Sequence, residues 1–313
     1  MVIYLKFFRW PNILIIILTQ VLLKTIVFDY IFWGLGIGYP ISNFWFMLLV
    51  ISTAFVAIAG YIGNDIADIE IDKINRPERP LCSGSISISQ AQTLQLFFEL
   101  FGLLLGFAVS YHIGNVSLAG IHLLIIILMR LYAKSLKCKG LIGNIVVAFS
   151  SAMVPAIVWI FGIYALRGTL YEVNFYLSMI NTITAFYVAF AFWFTLIREI
   201  IKDIEDRAGD IKSNCHTLAV RMPLQKLKYW IIGLSFIGLI GILIFQFVLL
   251  NSSGLSSRLL FIGSFSSIVI ILGLLVIPKL ITAKESIDFR KLGNYLKIII
   301  LAGILNILFL LAW

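Results

Sequence analysis

Two clusters of acid interrupt an otherwise apolar chain. Asp65, Asp68, Glu70, Asp72 and Glu78 lie in one short stretch and Glu199, Asp203, Glu205, Asp206 and Asp210 in another, ten of the fifteen acidic residues in all. The spacing repeats: Asp65-x-x-Asp68-x-x-x-Asp72 is matched by Asp203-x-x-Asp206-x-x-x-Asp210, 138 residues later. Steps of three and four put three carboxylates on one helix face, a strip of oxygen about two turns long. Unpaired, such a strip repels itself, and hard divalent cations prefer this type of donor. Magnesium keeps several waters and takes one or two carboxylates, leaving positions for phosphate oxygens. Two facing strips are therefore expected to clamp a diphosphate through Mg2+, with Asp65, Asp68, Asp72, Asp203, Asp206 and Asp210 as ligands. One such triad alone would read as solvated loop charge; the matching second one argues for chemistry.

Basic residues beside the acids extend the same logic. Asn75-Arg76-Pro77-Glu78-Arg79-Pro80 is stiffened by its prolines and offers Arg76 and Arg79 as forks for phosphate oxygens. Asn64 precedes the first triad, and Arg198 and Lys202 flank the second. The run Tyr132-Ala133-Lys134-Ser135-Leu136-Lys137-Cys138-Lys139 adds donors, among which Lys134 and Lys139 are candidates for the diphosphate, and Tyr132 is an aromatic candidate for holding a cation. For many of these the competing explanation is that they only set membrane topology.

The elements that must position these residues are membrane helices. The chain of 313 residues is 61% hydrophobic and 12% charged, against roughly 45–50% apolar and about 25% charged in soluble domains. That excludes a soluble protein, and a net charge of +9 confined to short loops does not point to nucleic acid. Windows of about 20 apolar residues fall at 12–32, 44–63, 91–111, 116–133, 141–163, 174–197, 229–250, 258–277 and 294–313, nine expected spans, with Pro155 predicting a kink in the fifth. All 24 basic residues except Lys24, Arg167 and Arg258 fall on one side of that layout, so the N-terminus is expected to be cytoplasmic and Trp313 to lie opposite. Both acidic clusters share the cytoplasmic side, and Cys82, Cys138 and Cys215, also on that side and without metal-ligand spacing, are expected to be free thiols.

The stretch from Asn64 to Pro80 resembles the first aspartate-rich motif of the UbiA-type intramembrane prenyltransferases, and the stretch from Arg198 to Asp210 resembles their second. The resemblance implies one domain over residues 1–313, all-α, with nine transmembrane helices ringed around a central apolar cavity and a cytoplasmic-side active site. It implies an isoprenyl diphosphate donor bound through Mg2+, transferred to a lipid or aromatic acceptor. Asn64, Asp65, Asp68 and Asp72 would lie on one metal side and Asp203, Asp206 and Asp210 on the other, with Asp68, Asp72, Asp203, Asp206 and Tyr132 as the catalytic set. Within the family the chain looks most like the geranylgeranylglycerol-phosphate geranylgeranyltransferases of ether-lipid synthesis. Leu81-Cys82-Ser83-Gly84, where many relatives have proline in place of the cysteine, and Asn214-Cys215-His216-Thr217 depart from that pattern. Prenylation of 4-hydroxybenzoate is the alternative acceptor chemistry. An ion-coupled transporter is the alternative of another class; it predicts charges within the spans, which hold few beyond Lys24 and Glu99.

Overall fold

The computed structural model describes residues 2–34, 38–166, 174–250 and 272–312. Eight helices among them are long and apolar enough to cross a membrane, and no strand occurs among the described residues. In chain order these are α1 (Trp10–Leu22, continued by π-helical Leu23–Phe28), α2 (Asn43–Ala67), α3 (Ile88–His112) and α4 (Ala119–Leu131, continued by π-helical Tyr132–Leu136). They are followed by α5 (Leu141–Ala165), α6 (Asn174–Lys212), α7 (Leu224–Leu250) and α8 (Ser286–Leu305). The expected span at 258–277 lies mostly outside the described residues, as do Arg167 and Arg258.

Local sequence explains several boundaries. Ser87 and Gln90 form a reciprocal capping box that starts α3, and Glu285 with Asp288 does the same for α8. Helix α5 runs through Pro155 as one element. Both acidic motifs lie at or beyond the ends of the expected apolar spans. Helix α6 does not stop near 197 but continues to Lys212, so the whole second motif is helical. In the first motif α2 ends at Ala67, Asp68 sits at φ −91°, ψ 1°, and a short helix, Ile69–Asn75, follows. The expected strip of three carboxylates on one helix is thus continuous in the second motif and jointed at Asp68 in the first.

Helices packed in lipid are held by close contact and polar pairs rather than by expulsion of water. The core brings Phe28, Phe161, Phe194, Ile197 and Leu296 together from α1, α5, α6 and α8. Gly303 of α8 faces the Phe190 ring so closely that a Cβ would collide with it. Two charges inside spans have partners: Lys24 donates to Asp29 at 2.7 Å, and Arg130 Nε donates to Glu99 at 2.9 Å.

The cysteines require a correction. Cys138 and Cys215 are joined in a disulfide, with Cα atoms 4.7 Å apart, and only Cys82 is a free thiol. The expectation rested on compartment and linear spacing. Folding lays the turn before α5 against the segment after α6, where the Gly140 N–H donates to the His216 carbonyl at 3.1 Å.

Candidate active site

The break at Asp68 swings the short helix Ile69–Asn75 against the end of α6. A Cβ on Gly209 would stand 2.5 Å from the Asn75 amide nitrogen, so the approach requires glycine there. Asn75 Nδ2 donates to the Asp206 carbonyl at 3.0 Å. Arg76 then reaches across, bonding Glu205 at 2.7 Å and Asp206 at 2.8 Å while standing 4.0 Å from Asp72. The two motifs are thereby one site.

Each carboxylate of the first triad faces a cation. Asp65 pairs with Arg9 and, at 3.1 Å, with Arg79, which also holds Asp72. Asp68 pairs with Lys137 and accepts from Asn64 Nδ2 at 2.8 Å. Burial pushes the Asp68 carboxyl up, but Lys137, with Lys202 and Arg79 behind it, more than offsets this, and its pKa lies below the ordinary value. Burial also pushes Asp72 up; Arg79 opposes this, Asp68 and Asp65 reinforce it, and the net direction is upward. Burial lowers the Lys137 ammonium, yet Asp68 and the more distant Asp210 and Asp206 raise it further, and it stays charged.

The second triad is held mostly by neutral donors. Asn144 Nδ2 donates to Asp203 at 3.0 Å and the Thr217 hydroxyl to Asp210 at 2.9 Å. Among the described residues its one cation within ion-pair distance, Arg76 on Asp206, belongs to the first motif. Glu205, between Asp203 and Asp206, is shared by Arg76 and, at 2.9 Å, by Arg290 of α8.

Beside this acid patch a cavity of about 210 Å³ opens between α1, α2, α4, α5, α6 and α8. Ile15, Val56, Ile125, Met129, Val147 and Ile157 line its apolar depth. Asn64, Tyr61, Tyr132, Arg9, Arg198, Glu199, Lys202 and Lys297 line its polar part. Tyr132 is buried there, and Arg9 lies 5.0 Å over the Tyr61 ring.

The structure therefore brings together Asn64, Asp65, Asp68, Asp72, Arg76, Arg79, Asp203, Asp206 and Asp210, with Arg198, Lys202 and Tyr132 on the cavity wall. Lys134 and Lys139 are not brought in: both are exposed and neither lines the cavity. Lys137, between them, is the lysine that pairs with Asp68. Sequence reasoning also missed Arg9, Asn144, Glu199 and Lys297. Arg9 had been indistinguishable from a topology charge, but its left-handed backbone, φ 53°, turns the chain where it meets Asp65.

Could the patch hold magnesium? Among the described residues no three carboxylate, thiol or imidazole groups already form a metal cage. The donors are nevertheless all oxygen, and Asn64 Oδ1 and Asp210 Oδ1 are buried without partners. An ion that takes one or two carboxylates and completes its octahedron with water and phosphate fits such a patch, whereas one that needs a full protein cage does not.

Comparison with known proteins bears on what the patch is for. Residues 28–292 match the UbiA prenyltransferase family. The chain belongs to that family. A digeranylgeranylglyceryl phosphate synthase of Saccharolobus solfataricus is 33% identical over 286 residues, covering 88% of this chain and 90% of its own. A solved structure of a digeranylgeranylglyceryl phosphate synthase overlays with a TM-score of 0.65 at 23% identity, covering 99% of this chain and 98% of the other. A UbiA homolog from Archaeoglobus fulgidus bound to DMAPP and Mg2+ overlays at 0.58 with 16% identity, covering 97% and 98%. These two structures share the UbiA fold with this chain. The protein is an integral membrane prenyltransferase of the UbiA family, and its two aspartate-rich motifs meet in space.

Proposed function

We propose that this prenyltransferase moves a geranylgeranyl group from its diphosphate to the glycerol hydroxyl of geranylgeranylglyceryl phosphate, with Mg2+ as the metal. The observation that carries it is the joining of two carboxylate triads through Arg76 beside a cavity whose depth is apolar. The acceptor is supported by the relatives named digeranylgeranylglyceryl phosphate synthase, and the metal by the Mg2+ of the Archaeoglobus protein together with the all-oxygen donor set.

The roles follow from the chemistry of each group. Mg2+, when bound by Asp65, Asp68, Asp72, Asp203, Asp206 and Asp210, supplies charge neutralisation for the departing diphosphate. Arg76, Arg79, Arg198, Lys202 and Asn64 donate to its oxygens, fixing the ester so that its allylic C–O bond lies at the cavity mouth. The apolar wall receives the prenyl chain and keeps water from the allylic cation, over which the Tyr132 ring offers its negative face. The acceptor hydroxyl oxygen then bonds the allylic carbon as the C–O bond to diphosphate breaks, and its proton passes to the departing diphosphate. In the same proposal the N-terminus and both motifs are cytoplasmic, Trp313 lies opposite, and nine helices over residues 1–313 form one unit around the cavity, as the one-sided placement of basic residues supports.

Purified protein in detergent, given radiolabelled geranylgeranyl diphosphate, tests it. Geranylgeranylglyceryl phosphate and 4-hydroxybenzoate are offered in parallel. Lipid-soluble product with the glyceryl phosphate, dependent on magnesium and abolished by EDTA, is expected. Product with the aromatic acid alone overturns the acceptor, and no magnesium-dependent transfer to either overturns the proposal.

A further inference from the structure

The cavity carries a charge that the acid patch does not answer. Among the described residues four cations line it, Arg9, Arg198, Lys202 and Lys297, against a single carboxylate, Glu199. Arg9 is engaged by Asp65. Glu199 is shared by Arg198 and, at 3.7 Å, Lys202. Lys297, on α8, makes no hydrogen bond or ion pair with any described residue, and the charges acting on it most are the like charges of Arg198 and Arg9. A half-buried ammonium among other cations is unfavourable unless an anion joins it.

Its depth shows which anion. The Ser286 hydroxyl, at the start of α8, donates to the Glu205 carbonyl at 2.9 Å, which ties that end of α8 to the acid patch. At 1.5 Å per residue Lys297 lies about 16 Å further along α8, whereas Lys202 lies only about 5 Å from Glu205 along α6. Arg198, the innermost diphosphate donor on α6, lies about 10 Å from Glu205, so Lys297 stands about one turn deeper than the donors assigned to the diphosphate. The other α8 residue lining the cavity, Ile300, is apolar.

We infer that Lys297 is the anchor of a second anion subsite, separate from the diphosphate site, which takes the phosphomonoester of the lipid acceptor. This rests on the proposed glyceryl phosphate acceptor. It assigns selectivity for a phosphorylated acceptor to a residue outside both aspartate-rich motifs. An ammonium placed there docks the acceptor headgroup inside the cavity and turns its free hydroxyl toward the mouth.

The test compares acceptors that differ only in that group. Wild type and Lys297→Met are assayed with geranylgeranylglyceryl phosphate and with the dephosphorylated alcohol. The ratio of kcat/KM for the two should fall about 10- to 100-fold in the variant, the loss typical of a charge-assisted hydrogen bond, and Lys297→Arg should restore most of it. An unchanged ratio overturns the subsite. So does an equal rise in KM for the prenyl diphosphate, which would make Lys297 a donor-site residue. Should wild type prenylate neither acceptor, the proposed function fails, and binding decides the subsite: dodecyl phosphate should raise the melting temperature of wild type more than that of Lys297→Met, and equal shifts overturn it.

Discussion

The two triads share a spacing and differ in how their charge is answered. The first is saturated by cations, Arg9 and Arg79 on Asp65, Lys137 on Asp68, Arg79 on Asp72. The second rests on an amide, a hydroxyl and one arginine lent by the first. Identical sequence patterns therefore carry unequal net charge in the folded protein, and the less compensated second strip is where added positive charge gains most. Such an asymmetry could not be read from the aspartates themselves. It lies in Asn144, Lys137, Thr217 and Arg9, none of which belongs to a motif.

Four experiments would break or sharpen that contrast. The largest effect is expected for Asp206→Ala, which removes a carboxylate of the second triad and the anchor of Arg76; prenyl transfer should fall by about a thousandfold or more in a radiolabel assay. Retained transfer would remove the second motif from the chemistry. Next, Asp210→Asn should raise the magnesium concentration for half-maximal rate about tenfold, and Asp72→Asn by clearly less, because Arg79 already offsets Asp72. Equal shifts would mean that the metal does not distinguish the strips.

Third comes Lys137→Met, read by melting temperature in EDTA from about pH 3 to about pH 7. In wild type the Asp68 pKa is held below its unfolded value, so its stabilisation is present above that value and is lost as pH falls through the lowered folded pKa. Asp72, raised, has the opposite sign. Without Lys137 the folded pKa of the buried Asp68 carboxyl rises, so the variant should melt below wild type at about pH 7 and the gap should narrow as pH falls toward about 3; a gap that does not change with pH would show that the pair does not govern Asp68. The smallest effect is expected for Lys134→Ala and Lys139→Ala, each within about twofold of wild type in donor KM, as for surface charges far from a ligand. A larger loss would return them to the diphosphate site.

Much of the architecture was legible because membrane helices must be long and apolar, and eight described helices overlap expected spans. The motif pair was legible because three carboxylates at helical steps have few purposes. What was hidden depends on geometry that no linear pattern carries. Lys134 and Lys137 differ by about one turn, but Lys134 lies within the π-helical stretch Tyr132–Leu136 and Lys137 just after it, and only Lys137 meets Asp68. The joint at Asp68 looks, in sequence, like uninterrupted helix. The continuation of α6 to Lys212 was concealed by its charges, which end an apolar window without ending a helix. The disulfide required two turns to be neighbours in space across 77 residues of chain.

Arg76 also imposes an order on biosynthesis. Arg9, Arg79 and Lys137 precede α5, so by the time the ribosome has delivered the first four spanning helices the first triad already has its counter-ions. The Arg76 guanidinium then has only Asp72, 4.0 Å away, until Glu205 emerges 129 residues later, an interval of about 6 to 26 seconds at 5–20 residues per second. Of the cations paired with the first triad, Arg76 alone has its nearest partners, Glu205 and Asp206, in the half of the chain made later.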